Sequence, residues 1–244
     1  MQNDDEIVGR LLSRRELVAL FGSSAVAALA HRLSAQSGAP VRGAAAACVV
    51  QPQQTEGPYF VDERLLRSDI REDPATGRTT AGIPLALTLN ISQVRADGSC
   101  AALPGAEVHL WQCDAMGEYS DVKDRLFDNT GKKFLRGHQI TNAAGAASFT
   151  TIYPGWYPGR AVHIHFKVRT RAGVDRALEF TSQFYFDESF TDRVFEAAPY
   201  STHAGSRTRN EQDNIYRNGG TQLMLPVREA GKRYEAAFNV GMKV

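Results

Sequence analysis

What most constrains this chain is a succession of seven segments of β-strand composition, separated by turn chemistry and with no long helical repeat among them. They cover residues 83–94, 107–113, 147–153, 162–169, 178–186, 222–227 and 234–244, and are rich in Val, Ile, Phe, Tyr and Thr. Between them stand Ala96-Asp97-Gly98, Asn142-Ala143-Ala144-Gly145, Ala172-Gly173 and Asn218-Gly219-Gly220, residue types that turn a chain back on itself. Many short strands with such punctuation predict an all-β fold, a β-sandwich with long loops and few short helices. Helical turns are expected only around residues 64–69 and 192–197. A chain of 244 residues can bury one sizeable core of about 200 residues, and a second full domain would be cramped.

The first part of the chain reads as an export leader. Ser13-Arg14-Arg15-Glu16-Leu17-Val18 opens a mildly apolar run over residues 17–30, interrupted by Gly22-Ser23-Ser24. That run falls short of the roughly 20 apolar residues a bilayer span needs, so no stable membrane span is expected. Paired arginines before a short apolar stretch, then small residues, fit a twin-arginine signal. Cleavage is expected near Leu33-Ser34-Ala35 or among the alanines at 44–47. An amphipathic surface helix is the alternative reading. The expected division is therefore a leader over 1–46 and one domain over 47–244, exported to an extracellular, periplasmic or cell-surface location.

Charge and cysteines narrow the partners and the chemistry. Lys and Arg number 28 against 27 Asp and Glu, a formal net charge of +1. Such a balance offers no basic field for nucleic acid or for an acidic membrane surface. The three cysteines, Cys48, Cys100 and Cys113, suit one disulfide and one leftover thiol in an exported protein. An extended stretch from 106 to 113 carries Cys113 about 20 Å along. That disfavours a Cys100–Cys113 bridge and favours Cys48 with one of the others.

The sharpest local signal is Val162-His163-Ile164-His165-Phe166-Lys167-Val168. Side chains alternate along a strand, so His163, His165 and Lys167 share one face while Val162, Ile164, Phe166 and Val168 enter the core from the other. Two imidazoles two residues apart on a rigid strand can reach one ion. Just upstream, Tyr153-Pro154-Gly155-Trp156-Tyr157-Pro158-Gly159-Arg160 brings a phenol and a guanidinium beside the pair, with Pro158 biasing Tyr157 towards an extended backbone. A third segment, Trp111-Gln112-Cys113-Asp114-Ala115-Met116-Gly117-Glu118-Tyr119-Ser120, ends a strand and presents another tyrosine.

In order and spacing these landmarks resemble the intradiol ring-cleavage dioxygenases, the family of protocatechuate and catechol dioxygenases. The resemblance runs from about Gln53 to the C-terminus, through Gln54-Thr55-Glu56-Gly57-Pro58-Tyr59-Phe60, the Gly117-Glu118-Tyr119 corner, Pro154-Gly155-Trp156-Tyr157-Pro158, Arg160, His163-Ile164-His165 and Ser182-Gln183-Phe184-Tyr185-Phe186. It implies a mononuclear non-haem iron, Fe(3+), held by Tyr119, Tyr157, His163 and His165. Tyr157 and His165 would be the axial pair, with Tyr119, His163 and a solvent hydroxide equatorial. Phenolate is a hard anionic donor suited to a ferric ion, and imidazole is also a good iron ligand. The implied reaction takes a small aromatic diol and O2 and opens the ring between its hydroxylated carbons, giving a cis,cis-muconate-type diacid. The diol would displace Tyr157, which assists its deprotonation. Arg160 would stabilise developing negative charge, Gln183 would hydrogen-bond nearby, and Tyr59 would contact substrate. The resemblance also makes a homodimer or larger assembly reasonable. The helical N-terminal region by which larger catechol dioxygenases dimerise is not expected, because only about fifty residues, mostly leader, precede Tyr59.

Two other classes stay open on the residues alone. One is an exported, non-catalytic β-sandwich binding module. The other is a zinc hydrolase at His163 and His165 completed by a carboxylate, Asp114 or Glu118 being nearest in sequence.

Overall fold

The computed structural model describes residues 49–170 and 178–243. The segment 1–46 expected to be a leader, and Cys48, lie outside the described residues. The chain folds into two packed sheets. After a small hairpin, β1 (Glu72–Asp73) and β2 (Arg78–Thr79), come β3 (Pro84–Val94), β4 (Cys100–Ala102), β5 (Glu107–Trp111), β6 (Arg136–Ile140), β7 (Ala146–Ile152), β8 (His163–Arg169) and β9 (Glu179–Tyr185). Two short helices follow, α1 (Glu188–Phe195) and α2 (Asn214–Arg217), then β10 (Arg228–Ala230) and β11 (Arg233–Lys243). The first sheet has the order β10-β11-β3-β4, with β7 sharing one edge of β3 with β4. Strand β11 runs parallel to β3 along its length. The second sheet, β6-β5-β8-β9, is antiparallel throughout.

The core lies between the sheets. Leu85, Leu87, Leu89 and Ile91 of β3 alternate inward and are almost wholly buried, the period-2 pattern of a strand with one face in the core. They meet Val108 and Leu110 of β5, Ile164, Phe166 and Val168 of β8, and Phe180 and Phe184 of β9. Phe166 and Phe184 stack with centroids 4.3 Å apart. The expected all-β sandwich is therefore what forms.

Two local expectations fail, and one strand was not foreseen. Residues 64–69 are not helical: Leu66 and Asp69 make parallel bridges to His138 and Thr150, so the segment runs extended along β6 and β7. Residues 222–227 do not form a strand. A 3-10 turn, Gly220–Leu223, begins after Gly219 at φ +99°, and only Met224 bridges to the sheet, at Tyr185. Strand β6 went unrecognised because its sequence, Arg-Gly-His-Gln-Ile, shows no apolar alternation. Helix α1 does form near the expected turn, with Asp187 capping it by accepting from Phe190 N–H. Cys100 is disulfide-bonded, and Cys113 is buried and free.

Candidate metal centre

The outer face of the second sheet carries a polar grid. Strand register sets Arg136, Trp111, His165 and Gln183 side by side in one row, and His138, His109, Lys167 and Thr181 in the next. This face is covered rather than solvated. Gln54 N–H bonds to the Thr181 carbonyl, and the Phe60 ring lies edge-on to Trp111, centroids 4.8 Å apart. Residues 51–67 therefore form a strap over the grid. Beneath it Lys167 is only 2% exposed, pairs with Glu56 and Glu179, and sits 4.2 Å over the Phe60 ring. The strand that sequence reading gave one buried face is buried on both.

Two loops bring the tyrosines to this face. The 114–119 turn is held by the Asp114 carboxylate, which accepts from Met116 and Glu118 N–H. Gly117 (φ +84°) lets that turn press against the second loop, since a Cβ there would stand 2.1 Å from the Trp156 carbonyl oxygen. A Cβ at Gly155 would likewise meet the Asp114 carbonyl oxygen at 2.4 Å. The two loops thus pack backbone on backbone and set Tyr119 and Tyr157 ring to ring, centroids 5.8 Å apart.

The four side chains converge on one point. His163 Nε2 lies 3.4 Å from Tyr119 Oη, 3.4 Å from Tyr157 Oη and 3.0 Å from His165 Nε2. His163 Nδ1 donates to the Ala161 carbonyl at 2.6 Å, so in the neutral ring Nε2 carries the lone pair. One lone pair cannot serve three neighbours. A cation at their centre would serve all four donors, and a backbone carbonyl behind a ligating imidazole is a usual support. Burial holds both rings neutral, as ligands must be: with Arg160 nearby, His163 is pushed down to about 3, and His165 falls well below the ordinary imidazole value. Burial, with Tyr157 close by, pushes the Tyr119 phenol well up. A bound metal ion inverts that logic and deprotonates it. The residues fit a hard, highly charged cation. Asp114 and Glu118 do not complete an alternative site: Asp114 builds its turn, and Glu118 accepts from Asn129 Nδ2. Among the described residues no group of three His, Cys, Asp or Glu side chains is arranged to hold a metal.

The remaining expected residues surround this point. Arg160 is buried; its Nε donates to Asp213 Oδ2 at 3.1 Å and its Nη2 to Gln183 Oε1 at 2.5 Å. Its Nη1 is buried and has no partner among the described residues. Gln183 is oriented in turn by donating from Nε2 to the Thr55 carbonyl of the strap. Tyr59 stacks on Tyr119 at 4.6 Å and donates its hydroxyl to Asp124. Sequence reading missed two supports. Trp111 lies flat on His165, centroids 4.9 Å apart and 5° from parallel. Asp213 accepts from Arg160 Nε and Ala161 N with one oxygen, and caps α2 by accepting from Ile215 N with the other. Asp213 stands 53 residues beyond Arg160, in a stretch with no periodic pattern, so nothing local marks it.

Known proteins resemble this chain in sequence and fold. A family model described as "Dioxygenase" matches residues 55–218, which take in most of the strap, both tyrosine loops, the histidine strand and Asp213. The intradiol ring-cleavage dioxygenase of Tetranychus urticae superposes with a TM-score of 0.68 at 32% identity, over 80% of this chain and 95% of that one. The dioxygenase domain of a dioxygenase–carbohydrate-binding fusion from Streptomyces sp. SirexAA-E gives 0.58 at 30% identity, over 80% and 99%. The 3-chlorocatechol 1,2-dioxygenase of Rhodococcus opacus 1CP, 20% identical with a TM-score of 0.53 over 80% and 73%, shares the fold. A search of curated proteins gave no match. A sandwich whose outer face gathers two phenols and two imidazoles, matched along most of its length by these enzymes, places the chain in the intradiol ring-cleavage dioxygenase family, oxidoreductases that act on small aromatic molecules with O2.

Proposed function

We propose that the chain holds a single iron(III) ion through Tyr119, Tyr157, His163 and His165, and cleaves catechol-type diols between their two hydroxylated carbons to muconate-type diacids. The observation that carries this reading is the over-subscribed lone pair of His163 Nε2, shared by two phenols and a second imidazole within 3.4 Å. When bound, the ferric ion supplies a Lewis-acidic, electron-withdrawing centre that makes the diol ring reactive towards O2.

The chain's own groups do the rest. Tyr119 is fully buried, whereas Tyr157 is part-exposed, so Tyr157 is the ligand with room to leave; held as a phenolate, its Oη would take one diol proton and depart as the neutral phenol. Arg160 is held firmly protonated: burial opposes its charge, and Tyr157, Asp213, Tyr185 and Tyr119 outweigh that opposition. Two of its nitrogens are occupied by Asp213 and Gln183, leaving Nη1–H as the donor for negative charge that develops on the ring. Tyr59, fixed by Asp124, walls the site beside Tyr119 and sets where the ring can lie. Oxygen uptake with a panel of diols, followed by identification of the products, tests the reading. Consumption of O2 with muconate-type diacids is expected. Extradiol semialdehydes, or no turnover of any catechol-type diol by the metal-loaded protein, would contradict it.

A further inference from the structure

Beside the proposed metal centre, the polar grid carries a second feature that the proposed chemistry does not use. Trp111 and Arg136 face each other across β5 and β6, as do His109 and His138 two residues along, so the four occupy the corners of one patch on the outer face. Strap residues Phe60, Val61, Glu63, Arg64 and Leu65 roof it. The pocket, partly open at the surface, measures about 10 Å³, close to the roughly 10–15 Å³ that admits one water.

Its walls hold an unusual concentration of unsatisfied polar atoms. Nine buried side-chain nitrogens and oxygens lack a partner among the described residues, and five belong to this lining: Trp111 Nε1, Arg136 Nη1, His109 Nε2, His138 Nδ1 and Glu63 Oε1. Each such group left dry forfeits the hydrogen bonds it made to water, so native proteins rarely leave several together. Trp111, Arg136 and His109 are each more than nine-tenths buried. Trp111 Nε1–H and Arg136 Nη1–H can only donate, Glu63 Oε1 accepts, and each neutral imidazole nitrogen can accept or donate. The Glu107 carboxylate, 3.6 Å from His109 Nε2, is too far to bond it.

We propose that this pocket is a hydration site holding one ordered water. The water accepts from Trp111 Nε1–H and Arg136 Nη1–H and gives its hydrogens to two of the acceptors opposite, among His109 Nε2, His138 Nδ1 and Glu63 Oε1. A cation is disfavoured by the two obligate donors, one of them a guanidinium. An anion is disfavoured by Glu63. The site links the strap to two groups that support the metal ligands from behind: Trp111, flat on His165, and Arg136, 6.0 Å from the Tyr119 ring centroid.

A crystal structure of the unmodified protein, at a resolution that shows waters, tests this independently of which metal the centre holds. An ordered water within hydrogen-bonding distance of Arg136 Nη1 and Trp111 Nε1 is expected. An empty pocket, or these groups bonded to protein partners instead, overturns the proposal. So does an anomalous peak at that point after a bromide soak, which would make it a halide site. In solution, His138→Phe, whose ring fills the pocket without a polar atom, should melt at a lower temperature than His138→Gln. A Phe variant at least as stable as the Gln variant means that the pocket is dry.

Discussion

Asp213 illustrates how much can hang on one carboxylate. Burial opposes its charge, but Arg160 and the Ala161 N–H outweigh it and hold the carboxyl below its usual value. Through Arg160 it aims the free Nη1–H, and through Ala161 it steadies the carbonyl that fixes the His163 tautomer. Asp213→Asn keeps the shape but cannot accept with full charge. Turnover should fall roughly 10–100-fold, as for other lost supports of a ligand set. KM should change little, and bound metal should be retained; loss of metal with normal turnover per remaining ion would speak against the positioning role. His109 supports a second prediction. Burial, Arg169 and His138 push it down to about 4, against the smaller pull of Asp62 and Glu107. The unfolded chain therefore binds a proton that the native state refuses between about pH 6.5 and 4. Native stability should rise with pH across that window, and denaturant titrations of His109→Gln should show a shallower rise.

At the scale of elements, the strap and the histidine strand act together. Gly57 sits at φ +70°, and a Cβ there would lie 3.3 Å from His165 Cε1. Gly57→Ala should cost about 1–2 kcal/mol of backbone strain and nudge the imidazole, which metal content and thermal midpoint would both register; an unchanged metal content would show that the strap does not locate His165. This coupling marks what sequence could and could not reveal. The facing pair His163 and His165 was readable from period-2 alternation, and the core faces of β3 and β8 from the same rule. Tyr119 and Tyr157 were readable only as members of a family pattern, because loops that pack through Gly117 and Gly155 leave no periodicity. Strand β6 was invisible since its outward residues, Arg136 and His138, are polar yet roofed by the strap. Residues 222–227 misled for the opposite reason: Leu223 and Leu225 alternate inward without a ladder.

Taken whole, the described part of the molecule is a sandwich that keeps its apolar core between the sheets and gathers two phenols and two imidazoles on an outer face, under a strap. No helix among the described residues is long and apolar enough to cross a membrane. The separation of core from site means that ligand substitutions should alter the metal centre while leaving the fold intact. The visible absorption spectrum of the iron-loaded protein tests the central claim most directly, because tyrosinate bound to ferric iron absorbs strongly in the visible. A burgundy protein is expected, with the band shifted or bleached in Tyr157→Phe and again in Tyr119→Phe while far-ultraviolet circular dichroism stays unchanged. A colourless protein carrying its full complement of iron would contradict the assignment of the two tyrosines.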